Sequence, residues 1–60
     1  MATYRIKHCI SSYNPGYIFI LEKQCWWGWK EVQWWKDTPE GNKAKSEAVE
    51  RLVRVGNTVI

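Results

Sequence analysis

The sequence predicts an α+β domain: a three-stranded antiparallel sheet packed on one C-terminal helix, in the order strand, strand, strand, helix. Three observations carry this. All nine aromatic residues fall within residues 1–36, where apolar and polar residues alternate as in half-buried strands. Two glycine-containing turns, Asn14-Pro15-Gly16 and Trp26-Trp27-Gly28, divide that half into three. Residues 37–60 contain no aromatic residue and repeat small apolar residues every four positions, the period of a helix face.

The first strand is expected over about 3–10, where Tyr4, Ile6, His8 and Ile10 alternate with Arg5, Lys7 and Cys9. Ser11 to Gly16 is a turn, because Pro15 fixes its own φ and Gly16 tolerates positive φ. The second strand, about 17–25, opens with aromatic and β-branched residues. Trp26-Trp27-Gly28 fits a three-residue hairpin loop with Gly28 in the left-handed position, and the third strand covers about 29–36. In that register facing residue numbers sum to a constant, and Lys23 meets Glu31 as a cross-strand ion pair.

Asp37-Thr38-Pro39-Glu40 has the form of a helix start, with a capping side chain, a proline just inside and an acid in the first turn. Gly41-Asn42 weakens that start, so the regular helix is expected over 43–54 with Asn42 as cap, or from about 38. Ala44, Ala48 and Leu52, with Val49 and Val53 beside them, form the apolar stripe. Glu47 with Arg51 and Glu50 with Arg54 are acid-before-base pairs four residues apart. Gly56 is a natural stop, leaving residues 57–60 as a tail or a short edge pairing.

Sixty residues make one domain, 1–60, with a thin core. A composition of 45% hydrophobic and 25% charged residues is ordinary for a globular domain, but five tryptophans are not. Residues 1–36 carry five basic residues against two acidic ones, and residues 37–60 carry four of each. All of the net charge of +3 therefore lies in the half that holds the aromatics. No window approaches the ~20 apolar residues of a membrane-spanning helix, and the N-terminus lacks the charged-then-apolar order of a signal peptide. A cytoplasmic location with no membrane partner follows, and Cys9 and Cys25 are expected as free thiols.

Catalytic and metal chemistry find little support. His8 and Cys9 are consecutive in a strand, so their side chains diverge, and a structural zinc site wants four closely spaced ligands. Glu22 and Glu31 face opposite sides in the register above, and Glu31 is matched with Lys23. No glycine-rich phosphate loop or nucleophile elbow is present. No enzyme activity, metal or small-molecule cofactor is expected.

One helix covers only one side of a small sheet. If it lies over Ile18, Ile20, Val32 and Trp34, joined by Tyr4, Ile6 and Ile10, the other side shows Tyr17, Phe19, Trp29 and Trp35 among Arg5, Lys7 and Lys23. The alternative covers the Phe19, Leu21 and Trp35 side and leaves Ile18, Ile20 and Trp34 outside. Either way a large apolar set stays uncovered unless a partner or a folded-back tail such as Val59-Ile60 shields it.

The order of Tyr4-x-Ile6, Gly16-Tyr17-x-Phe19, Trp29-x-x-Val32 and the helix around Ser46 and Ala48 resembles the sheet-plus-helix layout of integrase arm-binding domains and plant ethylene-response-factor domains. It is similar, too, to small proteins of phages and mobile elements. That resemblance implies Arg and aromatic side chains on an open sheet face in the major groove of DNA, here Arg5, Lys7, Lys23, Trp29 and Trp35. The chain has fewer strand arginines than that pattern and two extra tryptophans, Trp26 and Trp27. The expected function is a non-catalytic binding module taking nucleic acid, with Lys and Arg on phosphates and indoles stacking on bases. The alternative is a protein-interaction or homodimerisation module. The candidate binding residues are Arg5, Lys7, Tyr17, Phe19, Lys23, Trp26, Trp27, Trp29 and Trp35.

Overall fold

A computed structural model describes residues 1–12 and 16–60; the expected Asn14-Pro15 part of the first turn lies outside them. Strands β1 (Thr3–Ile10), β2 (Tyr17–Cys25) and β3 (Gly28–Lys36) precede helix α1 (Pro39–Arg54), which is followed by a short strand, β4 (Thr58–Val59). The sheet has four strands in the order β3-β2-β1-β4. The three expected strands and the helix are present, and β4 is the addition.

β4 forms because of how the helix ends. Gly56 adopts φ 93°, its N–H donates to the Val53 carbonyl and the Asn57 N–H donates to that of Leu52, both at 3.0 Å. This paired pattern closes a helix and reverses the chain. The Asn57 side chain then accepts from the Ala2 N–H at 2.8 Å, and Thr58 and Val59 pair in parallel with Thr3 and Tyr4. The chain end thus lies along the sheet edge instead of folding over a face.

The β2–β3 hairpin corrects the expected register. Gly28 takes the positive φ foreseen for it, 132°, but it also pairs with Cys25, so only Trp26 and Trp27 are left unpaired. Ile18 to Leu21 face Lys36 to Gln33 as expected, and then the register slips by one residue between Leu21 and Glu22. The extra residue on β3 is Val32, a β-bulge. Beyond it Glu22 faces Glu31 and Lys23 faces Lys30. The expected Lys23–Glu31 pair is therefore not formed.

The helix begins at Pro39, earlier than 43. Thr38 is its cap, accepting from the Gly41 N–H through Oγ1 at 3.0 Å, and Glu40 sits in the first turn. Gly41 does not delay the helix; a Cβ there would run into the backbone carbonyl of Lys36. Glycine lets the first turn press against the end of β3.

The helix lies on the Leu21 and Trp35 side. Those two residues are the buried core, at 4% and 7% exposure, and among the described residues no side chain is fully buried. The reason is the pairing of β1: Ile6 faces Leu21 and His8 faces Phe19, so the apolar alternation of β1 joins that side and not the Ile18 and Ile20 side. The connection between β3 and α1 is fastened to the same side. The Asp37 N–H donates to the Tyr17 carbonyl at 3.0 Å, and its carboxylate lies 3.0 Å from His8 Nε2. His8 in turn stacks on Phe19, with ring centroids 4.6 Å apart. The arrangement in which the helix covers Ile18, Ile20 and Trp34 is overturned.

The stripe on α1 shifts accordingly. Ala48, Val49 and Leu52 are partly buried, whereas Ala44 and Val53 are exposed. Lys45 takes the inward position one turn before Val49, with its ammonium 3.7 Å from the centroid of the Phe19 ring. Glu50 and Arg54 form the expected ion pair at 2.7 Å. Among the described residues Glu47 and Arg51 do not.

Candidate functional site

The uncovered side of the sheet is set by the strand pairing. Residues directly across a ladder share a face. Arg5 faces Glu22, Lys7 faces Ile20 and Cys9 faces Ile18; Ile20 also faces Trp34, and Ile18 faces Lys36. On the edge strand β3, Trp34 is 46% exposed. Together with Cys9, Ser12, Ile18, Ile20 and Glu31 it borders an open concavity of about 430 Å³.

To one side of this apolar patch the polar groups satisfy one another. Arg5 Nε donates to Glu22 Oε1 at 2.7 Å, and the guanidinium lies 4.2 Å from the Trp29 ring centroid. One arginine thus serves a carboxylate and an indole at once, which neutralises its charge and covers part of the ring. Glu31 is exposed and has no ion-pair partner among the described residues.

The predicted binding residues separate into three groups. Arg5, Lys7 and Trp29 lie on the open face with Trp34. Phe19 and Trp35 lie on the helix side, as do Tyr17 and Lys23, which face Ile10 and Tyr4 on β1. Trp35 is buried there and cannot serve as a platform. Trp26 and Trp27 cap the hairpin, 92% and 62% exposed, with their rings nearly perpendicular and 5.3 Å between centroids. The single aromatic and basic face expected from the sequence does not form.

Two features were missed by sequence reasoning. Trp34, with the half-buried Ile18 and Ile20 beside it, makes the apolar patch that the alternative arrangement left outside; what was missed is its place among the candidate binding residues. Glu22 and Glu31 stand across from each other, where the sequence register had them on opposite sides; the bulge at Val32 brings them together. With Glu22 held by Arg5, this pair lacks a free acid and base in mutual contact. His8 and Cys9 point to opposite faces. Among the described residues no three His, Cys, Asp or Glu side chains gather as metal ligands, and no helix is long and apolar enough to cross a membrane.

No family model, curated protein or solved structure matches the chain.

Proposed function

We propose that the chain is a non-catalytic protein-interaction module whose open sheet face pairs with the same face of a second copy. The observation that carries this reading is the exposed Trp34 beside Ile18 and Ile20, on the sheet face opposite the helix, which no element among the described residues covers. Large uncovered apolar patches on small soluble domains mark contact surfaces.

Three further points favour a second copy as the occupant. The core is thin, with Leu21 and Trp35 alone buried among the described residues, and domains of this size commonly draw stability from association. The face carries both signs of charge around its apolar centre, Lys7 and Lys36 against Glu31, so it complements itself under a two-fold axis. The molecule is a slab of 34 × 26 × 14 Å, and its broad side is of the order of the ~800 Å² that a standard interface takes from each partner.

Nucleic acid suits this face less well. Arg5 is committed to Glu22 and Trp29, and Glu31 would repel phosphates.

Sedimentation equilibrium tests the proposal. The wild-type chain is expected as a dimer that persists or tightens as salt rises, because the contact is chiefly apolar. Trp34→Lys should remain folded and weaken the dimer at least about 30-fold, the effect of losing a ~2 kcal/mol interface hot spot. A wild-type chain that stays monomeric at high concentration, or a Trp34→Lys dimer of unchanged strength, overturns it.

A further inference from the structure

The hairpin tip is a second surface, distant in chemistry from the Trp34 face. Its two unpaired residues are both tryptophan and are the most exposed indoles in the described chain. Three residues back along each strand from the tip, Lys23 and Lys30 face each other across β2 and β3. Like charges directly opposite on a ladder are unfavourable, and neither lysine has an ion-pair partner among the described residues. Gln24 faces Trp29 and Cys25 faces Gly28 in the two intervening pairs. The tip therefore presents two flat aromatic surfaces above two uncompensated cations.

The geometry points to single-stranded nucleic acid as the ligand of this tip. Lys23 and Lys30 would engage consecutive phosphates, and Trp26 and Trp27 would stack on unpaired bases. Stacking needs an indole face open to solvent, and the edge-on contact between the two rings leaves such faces. A lipid surface would be served by an aliphatic collar beneath the indoles. Here the positions beneath them on β2 and β3 are Lys23, Gln24, Cys25, Gly28, Trp29 and Lys30; the one large apolar residue among them, Trp29, lies under the Arg5 guanidinium, so insertion would stop at the two rings. The proposal is independent of the sheet face; in a dimer two such tips would be present.

Fluorescence anisotropy of a labelled oligo-dT of about 12 nucleotides, within the range one small binding domain covers, tests it with the full chain. Binding at low salt is expected, with log K falling against log salt at a slope of about −1.4, the value for two phosphate contacts on a single strand. Lys23→Gln or Lys30→Gln should halve that slope. Trp26→Ala with Trp27→Ala should weaken binding tenfold or more at unchanged slope. Trp34→Lys, which acts on the dimer, should leave the affinity per chain intact, so failure of either proposal is read separately. The assignment is overturned by absence of oligonucleotide binding at low salt, by binding weakened less than tenfold on loss of both indoles, or by pelleting with phosphatidylserine vesicles in place of oligonucleotide binding.

Discussion

Trp34 and Trp35 are neighbours on β3, yet Trp35 is buried beneath the helix while Trp34 stands half exposed on the opposite face. Strand alternation forces this division: two adjacent large residues in a sheet roofed on one side cannot both be sheltered. Trp35→Ala should cost the fold about 3–5 kcal/mol, the range for deleting a buried aromatic ring. Trp34→Gln should alter the stability of the monomer by less than ~1 kcal/mol. Urea unfolding at a concentration where the chain is monomeric checks both, and equal effects would contradict the face assignment.

Gly41 gives a prediction in which two rules disagree in sign. Alanine in place of an interior helix glycine normally stabilises by about 0.5–1 kcal/mol. Here its Cβ would meet the Lys36 carbonyl, backbone that cannot swing aside. Gly41→Ala should therefore lower the unfolding midpoint, by the ~1–3 kcal/mol typical of overpacking.

Lys45 should couple to Phe19. A double-mutant cycle between Lys45→Met and Phe19→Leu is expected to return about 0.5–1 kcal/mol, the scale of a partly exposed cation–π contact. A coupling of zero would mean that Lys45 covers the ring with its stem alone.

Asp37 makes stability depend on acid pH. Its hydrogen bond from Asn42, then that from His8, hold its carboxyl below the ordinary value of 3.8. A folded-state pKa below the unfolded one contributes stability above the unfolded value, and that contribution disappears as pH falls through the folded value. Thermal melts should therefore drop below about pH 4, and Asp37→Asn should flatten that part of the profile. The step should be small, since the carboxylate is exposed.

Lys30→Glu sets stability against binding. Replacing one of two facing lysines by an acid should stabilise the hairpin by about 0.2–1 kcal/mol. The same substitution should abolish oligonucleotide binding at the tip. Thermal denaturation read beside anisotropy separates the two effects.

The elements were legible where the signal is local. Period-two alternation in Tyr4 to Ile10, the Thr38-Pro39 start and the Gly56 stop each depend on neighbouring residues alone. The features that stayed hidden depend on distant partners. Val32 has no property that marks it as a bulge; the slip shows only against Glu22, and it relocates both Trp29 and Glu31 to the open face. Gly41 read as a helix breaker because its use, a close approach to Lys36, is tertiary. Lys45 entered the sequence reading only as one of the basic residues of 37–60, because its partner, the Phe19 ring, is distant in the chain. The choice of covered face could not be made from β2 and β3, since both sides bear large apolar residues. It is decided by β1, through Ile6 against Leu21, and by the Asp37–His8 contact. The uncovered apolar face itself was foreseen, because one helix spans one side.

The most direct test of the account is an isotope-filtered nuclear Overhauser measurement on a mixture of labelled and unlabelled chains. The paired-face arrangement predicts intermolecular contacts from the Trp34 indole to the methyl groups of Ile18 and Ile20. Absence of intermolecular contacts from Trp34, or contacts confined to β4 or the helix surface, would contradict it.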